Sequence, residues 1–242
     1  MNPERGYFLR EMGLGPVWKL RATPAAIAVE EATLSSPAEP QAADDSVRGT
    51  TGMAPPGAMG WDELATAVAA CRQCRLCETR KQAVLGVGDR SADWLFVGEG
   101  PGAEEDQRGE PFVGQAGKLL DNMLAAIRLK RGSDVYIANA VKCRPPENRT
   151  PAPDEIAACW PYLQRQIELI RPKLIVALGR PAAQTLLQSD VKIGVARGKM
   201  HDYRGIPVIV TYHPAYLLRT LQDKAKAWED LCFMRQTMRA QR

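Results

Sequence analysis

Hydrophobic positions follow two alternating spacings from about residue 61 onward. Four short apolar runs, each bounded by glycine or polar residues, have the pattern of strands buried in a parallel sheet. Between them lie longer segments with apolar residues three and four apart, which predict helices. The predicted strands are 93–98, 135–141, 173–179 and 206–212, and the predicted helices begin near Trp61 and cover 113–129, 153–170, 180–187 and a C-terminal stretch.

Strands that alternate with helices predict an α/β fold with a mainly parallel sheet covered on both faces. In such sheets the ligand crevice lies beyond the carboxyl ends of the strands. Three polar motifs follow predicted strands here: GEGPGAEED at 98–106, Asn139 at the end of the second strand, and HPAYLLR at 213–219. We expect these motifs to meet in one crevice.

The N-terminal region has a different composition. Between Ser35 and Gly60, 18 of 26 residues are Ala, Pro, Gly, Ser or Thr, too little apolar surface to offset the entropy of ordering. We therefore predict a largely disordered tail and linker over 1–60 and a folded domain over 61–242. Residues 5–21 are rich in apolar side chains and are compatible either with a docking segment for a protein partner or with a tail that has no function.

Composition excludes several classes of protein. The chain has 242 residues, of which 45% are hydrophobic and 25% charged, as in a globular domain. No apolar run approaches the roughly 18 residues that cross a bilayer, and the start lacks the apolar stretch of a secretion signal. We expect a cytoplasmic, monomeric protein with no membrane partner. Residues 1–60 carry a net charge of −2 and the remainder +6, which suits a polyanionic partner but also an ordinary basic enzyme.

The six cysteines indicate metal or redox chemistry in a reducing compartment. Cys71 and Cys74 form a CxxC pair, and Cys143 and Cys159 lie far downstream. Four thiolates suit either tetrahedral zinc or an iron–sulfur cluster, and spacing does not choose between them. Cys77 adds a third thiol at the same interval, so spacing alone does not identify the first pair either.

The order of the motifs adds a family resemblance. CRQCRLC, VGEGPGAEED, GEPFVGQAGKLLD, IANAVKCRPPENRTPAPDEIAAC, ALGRPAA, RGK and HPAYLLR follow one another between Cys71 and Arg219. This run resembles the family 4 uracil-DNA glycosylases, the iron–sulfur branch of the uracil-DNA glycosylase superfamily. The resemblance implies a three-layer α/β/α sandwich with a small, mainly parallel central sheet, a 4Fe-4S cluster, and hydrolytic removal of uracil from single- or double-stranded DNA in base excision repair. It also implies a bacterial-type enzyme that associates with the nucleoid through DNA.

Carried over by motif, the resemblance places the cluster ligands at Cys71, Cys74, Cys143 and Cys159. It places the uracil pocket at Glu99, Gly100, Glu105, Phe112, Asn139 and His213, with Asn148 as a partner of Glu99. Cys77 is then an additional thiol. Glu104 and Asp106 are interpreted as acids of a helix start or a solvated face.

The chemistry of uracil removal suggests a role for each pocket residue. Uracil leaves as an anion, so a donor aimed at its O2 oxygen stabilises the transition state, and His213 is the candidate donor. The amide of Asn139 matches the O4 acceptor and N3–H donor of uracil. Phe112 is expected to stack on the base, and Glu99 or Glu105 to steady the sugar cation or position water.

DNA binding is assigned to basic residues near the motifs and to an apolar wedge. The candidates are Lys142, Arg144, Arg149, Arg197, Lys199 and Arg219, with Leu217 as the wedge among Tyr216, Leu217 and Leu218. The alternative function is a non-catalytic iron–sulfur module that binds DNA or senses oxidation.

Overall fold

The computed structural model describes residues 56–241, so the predicted tail and the docking segment at 5–21 lie outside the described residues. Six strands are present in that range: β1 (Val87–Gly88), β2 (Trp94–Gly98), β3 (Val135–Asn139), β4 (Leu174–Leu178), β5 (Met200–Tyr203) and β6 (Ile206–Thr211). The α-helices are α1 (Trp61–Ala70), α2 (Leu76–Thr79), α3 (Ala103–Arg108), α4 (Gln115–Ala126), α5 (Pro153–Ile170), α6 (Arg180–Leu187), α7 (Ile193–Ala196), α8 (Pro214–Arg219) and α9 (Lys224–Ala240). Short 3-10 turns cover Pro56–Ala58, Pro146–Asn148 and Leu221–Asp223.

The strands form one sheet in the order β1-β3-β2-β4-β6-β5. The four inner strands run parallel, and β1 and β5 pair antiparallel at the two edges. All four predicted strands are the inner ones, and the mainly parallel sheet is confirmed. The edge strands have no matching prediction, because β1 has only two residues and β5 has mostly exposed side chains.

Alternate side chains of the inner strands enter two separate cores. Trp94 and Phe96 of β2 pack on one face with α4 and α9, where Met123 and Leu231 are among the buried residues. Leu95 and Val97 face the other way. There they pack with buried residues of α5 and α6, which include Leu163, Ile167, Ala182 and Leu186. The α/β/α sandwich is therefore confirmed.

A third cluster joins α1 to the segments that carry Cys143 and Cys159. It contains Leu64 and Val68 of α1, together with Cys143 and Cys159. Helix α5 belongs to one helical layer of the sandwich and also carries Cys159. The third cluster therefore packs directly against a helix that covers the sheet.

Two predicted elements differ from the observed ones at functionally important ends. Helix α4 begins at Gln115 rather than near residue 113, because the amides of Val113 and Gly114 bond to the carboxylate of Glu105 at 2.9 and 3.1 Å. Strand β3 ends at Asn139, after which the chain turns towards Cys143. In the range described, no helix is both long enough and apolar enough to span a membrane.

Candidate active site

A cleft of about 680 Å³ opens beyond the carboxyl ends of β2, β3 and β6. The three strand-end motifs meet in it, as expected from the topology. All six residues predicted for the base pocket line this cleft: Glu99, Gly100, Glu105, Phe112, Asn139 and His213. Asn148, Arg149 and Arg219 line it as well.

Asn139 offers a buried polar atom to the cleft. The residue ends β3 and is 2% exposed, and its Oδ1 has no hydrogen-bond partner among the described residues. Buried polar atoms are nearly always paired, so an unpaired one needs an explanation. Gly98 faces Asn139 in the neighbouring strand. A Cβ at position 98 would lie 2.6 Å from Cζ of Phe112 and would collide with Oδ1 of Asn139, so glycine allows the ring and the amide to approach each other.

The backbone of Asn139 is held from behind by Lys142. Lys142 is 1% exposed, and its ammonium donates to the carbonyl of Asn139 at 2.8 Å and to Oε1 of Gln166 at 2.5 Å. Burial lowers the pKa of Lys142 to about 8. The predicted DNA contact by Lys142 is therefore wrong, because a lysine buried beneath the strand end does not reach a phosphate. Gln166 in turn donates to the carbonyl of Leu85 and to Tyr136, which ties the amine to the sheet.

His213 is held as a neutral imidazole. It precedes α8, and its Nδ1 accepts a hydrogen bond from the amide of Ala215 at 3.1 Å. Burial and, secondarily, the charge of Arg219 lower the pKa of His213 to about 4. A neutral ring whose Nδ1 accepts must carry its proton on Nε2. His213 therefore supplies one N–H donor without a positive charge near neutral pH.

Phe112 completes the wall between the strand ends. Its ring centroid lies 5.4 Å from that of His213 at an interplanar angle of 32°, and the residue is 6% exposed. Its backbone has φ +55°, in the left-handed region that bulky residues rarely adopt.

The two carboxylates of the cleft, Glu105 and Glu99, differ in their hydrogen-bond partners. Both oxygens of Glu105 accept backbone hydrogen bonds, from Gly102 on one side and from Val113 and Gly114 on the other. Glu105 thus joins the first motif to the loop that carries Phe112. Burial raises the pKa of Glu99, and a hydrogen bond from Thr150 partly offsets that effect.

Asp106 corrects the interpretation of the acid cluster. It lies in the first turn of α3, as does Glu104, which agrees with the helix-start interpretation. It is nevertheless 2% exposed and accepts hydrogen bonds from the amides of Lys81 and Gln82, so it is not part of a solvated face.

Comparison with known proteins agrees with this geometry. The family model of the uracil DNA glycosylase superfamily matches residues 85–232. A "Type-4 uracil-DNA glycosylase" of Archaeoglobus fulgidus is 47% identical over 165 residues, which span 65% of this chain and 82% of the relative. The chain belongs to the type-4 uracil-DNA glycosylases. A type-4 relative from Thermotoga maritima is 48% identical over 158 residues, covering 64% of this chain and 82% of its own. A "Type-5 uracil-DNA glycosylase" of Pyrobaculum aerophilum is 32% identical over 146 residues, covering 54% of this chain and 64% of that relative.

Some basic residues of this type-4 family member line the cleft and others lie outside its lining. Arg149 and Arg219 are exposed and line the cleft, as does Arg180, which sequence reasoning missed. Arg149 is also bonded to Glu155 at 2.6 and 2.8 Å. Arg144 donates to Oδ1 of Asn148 at 2.8 Å, whereas no hydrogen bond between Asn148 and Glu99 is found in the part of the chain described.

The remaining DNA-binding candidates lie outside the lining of the cleft. Arg197 is bound to Asp230 and Glu229, and its side chain is only 16% exposed. Lys199 is exposed. Leu217 is fully buried and belongs to the core, so the predicted wedge at this position is wrong. Its neighbour Leu218 is 41% exposed.

The cysteines of the family motif surround a second, smaller cavity. Cys71, Cys74, Cys143 and Cys159 all line it, together with Arg80, and Cys77 does not. Nη1 of Arg80 donates to Sγ of Cys143 at 2.8 Å, and the amide of Lys142 donates to Sγ of Cys159 at 3.2 Å. Over residues 56–241, no three Cys, His, Asp or Glu side chains meet closely enough to bind a single metal ion.

Proposed function

We propose that this protein flips uracil out of single- or double-stranded DNA and hydrolyses its N-glycosidic bond, leaving an abasic site for base excision repair. The printed names of its type-4 relatives and the chemistry of the cleft support this function. The single observation that carries it is the unpaired, buried Oδ1 of Asn139 in the same cleft as the neutral imidazole of His213. A base supplies the missing partner.

Asn139 is proposed to select the base. Its Oδ1 accepts the N3–H of uracil, and its NH₂ group donates to O4. Cytosine presents the opposite pattern at these two positions. Each buried group left unpaired costs about 1–3 kcal/mol, so two mismatches together exclude cytosine.

His213 is proposed to stabilise the departing base. As the glycosidic bond breaks, negative charge develops on O2 of uracil, and the Nε2–H of a neutral imidazole can donate to that oxygen. A preorganised donor of this kind contributes a few kcal/mol to the transition state. Because Nδ1 is already bonded to Ala215, the ring is fixed in the required tautomer.

The two carboxylates receive separate roles. Glu99 is proposed as the catalytic carboxylate that steadies the sugar cation or positions the attacking water, because it lines the cleft and no backbone amide of residues 56–241 donates to its carboxylate. Glu105, predicted as catalytic from sequence, is proposed instead to position the loop of Phe112, since three backbone amides occupy its oxygens. The described lining of the cleft contains no lysine, which supports hydrolysis by water without an amine nucleophile.

DNA is proposed to lie across the mouth of the cleft. Arg149, Arg180 and Arg219 surround the opening and suit phosphate contacts, which position the strand without reading sequence. Phe112 would stack on the extruded base, and the exposed Leu218 would fill the space that the base leaves.

The four cysteines of the small cavity are proposed to hold a 4Fe-4S cluster. The donor set fits this group, because four thiols face one cavity and two of them accept hydrogen bonds from Arg80 and from a backbone amide. Burial raises the pKa of the Cys159 thiol to about 12, so a thiolate there needs nearby positive charge. When bound, the cluster would supply a structural link between the two cysteine pairs, and glycosidic hydrolysis transfers no electrons through it.

Release of uracil from defined oligonucleotides tests the function. We expect the full-length protein to release uracil from single-stranded and duplex DNA, and His213→Ala to lose most of that activity. The matched control is His201→Ala, because His201 lies in β5, bonded to the carbonyl of Ala196 and outside the cleft. DNA binding without uracil release would instead support the non-catalytic module, which no contact in the described residues favours.

A further inference from the structure

The loop of Phe112 has an unfavourable backbone conformation that must be held in place. A bulky residue at φ +55° is strained and persists only where its surroundings fix it. Glu105 holds the two amides that follow Phe112. Those contacts leave the carbonyl side of the loop to be fixed by another group.

Arg131 holds that carbonyl side. It lies between α4 and β3, and its Nη1 and Nη2 each donate at 2.8 Å, to the carbonyls of Pro111 and Phe112. Its Nε donates to Oδ1 of Asp121 at 3.0 Å, which anchors the guanidinium to the exposed face of α4. The planar guanidinium offers these donors in a fixed arrangement that a lysine does not reproduce.

Close contacts on both sides restrict the position of Phe112. Its carbonyl lies so close to Gly117 of α4 that any side chain at 117 would collide with it. On the other side, its ring fills the space that a Cβ at Gly98 would need. Arg131 itself does not line the cleft, so it has no direct access to a bound base.

We propose that Arg131 is a positioning residue for uracil excision, which clamps the Pro111 and Phe112 carbonyls so that the Phe112 ring stands ready to stack on the extruded base. The proposal rests on the proposed function, because it takes Phe112 as the base-stacking residue. Arg131 acts only through Phe112. Removing it should therefore change the excision step and matter little once the Phe112 ring is gone.

A double-mutant cycle on the full-length protein tests this dependence. Single-turnover excision from a uracil oligonucleotide is measured for Arg131→Ala, Phe112→Ala and the double variant. We expect Arg131→Ala alone to slow excision about ten- to a hundred-fold, since a misplacement of about 1 Å carries losses of that order. In the Phe112→Ala background the same change should have less than about a twofold effect. Lys130→Ala, exposed and one residue away, is the matched control and should stay within about twofold of the parent.

Two further variants separate positioning from a general folding role. Arg131→Lys should recover part of the rate, because one ammonium can reach one of the two carbonyls. If Arg131→Ala does not fold, Asp121→Ala replaces it in the cycle, since it removes the acceptor that anchors Nε and leaves the arginine. Multiplicative losses in the Phe112→Ala background, or excision by Arg131→Ala within about twofold of the parent, would overturn the proposal.

Hydrogen exchange gives a readout that does not need uracil. The amides of Val113 and Gly114 should exchange faster in Arg131→Ala than in Lys130→Ala, because release of the carbonyls loosens the loop. If the parent protein excises no uracil, the proposed function fails, while faster exchange at these two amides still supports the clamp. Unchanged exchange overturns the clamp whatever the activity.

Discussion

Replacing Asn139 by leucine should separate recognition from stability. The buried Oδ1 has no hydrogen-bond partner among residues 56–241, and leaving such a group unpaired costs about 1–3 kcal/mol. Leucine has a similar shape and no polar atom. We therefore expect the thermal midpoint of Asn139→Leu to stay unchanged or to rise by a few degrees, at about 2–4 °C per kcal/mol for a domain of this size.

The same substitution should strongly reduce excision. A bound uracil would keep O4 and N3–H buried without partners, at about 1–3 kcal/mol each, which corresponds to a loss of about 30-fold to 20,000-fold in kcat/KM. Single-turnover uracil release and differential scanning calorimetry measure the two effects. Asn122→Leu, on the exposed side of α4, serves as the control for a surface leucine. Excision within about threefold of the parent, or a midpoint that falls by about 5 °C or more, would refute the reasoning.

Four other assignments have direct tests. Because desolvation lowers the pKa of His213 to about 4, excision should stay level between about pH 7 and pH 5, and a midpoint near pH 6.5 would contradict a neutral ring. The same shift should reduce the free energy of unfolding as the pH falls from 6.5 towards 4, because the unfolded imidazole binds the proton first; His213→Gln should lose this dependence. Glu105→Gln, in which an amide NH₂ replaces one acceptor oxygen, should lower stability by about 1–3 kcal/mol in urea titrations. Leu218→Ala should slow excision from duplex DNA more than from single strands, and an equal effect of this variant on both substrates would contradict the wedge. Leu217→Ala should instead lower the free energy of unfolding by about 2–5 kcal/mol, because that side chain is fully buried. Cys143→Ala should remove the brown colour and broad visible absorption expected of iron–sulfur protein, and colour that survives would contradict the ligand assignment.

The inner sheet was predictable because its strands are buried on both faces. Segments such as Trp94–Gly98 and Leu174–Leu178 are short, continuous apolar runs, which are typical of parallel strands covered on both faces. The edge strand Met200–Tyr203 has one buried residue and therefore no such pattern. Helices α5 and α6 also have the predicted bounds, since each combines a clear helical period with proline in its first turn.

The cleft was predictable only as far as motifs lie at strand ends. Asn139 is the last residue of β3 and His213 lies two residues after the end of β6, so topology brings them together. Lys142 and Leu217 lie within the same motifs, yet their side chains point into the protein, and proximity in sequence says nothing about burial. The role of Arg131 could not be predicted from the sequence, because its contacts with the Phe112 loop depend on how α4 packs.

The cleft combines groups that folding alone would disfavour. An amide oxygen without a partner among residues 56–241 and a phenylalanine in the left-handed region both destabilise the free protein, and an imidazole with a lowered pKa does so below about pH 6.5. Their supports come from behind the cleft: Lys142 holds the strand end of Asn139, and Glu105 holds the amides next to Phe112. Because these supports bond to backbone atoms, they fix the positions of the cleft residues and leave the side chains free for a ligand. A protein that only stored a cluster or bound DNA backbone would have no use for such an arrangement, whereas an enzyme that must recognise one small, flat, polar base needs each part of it.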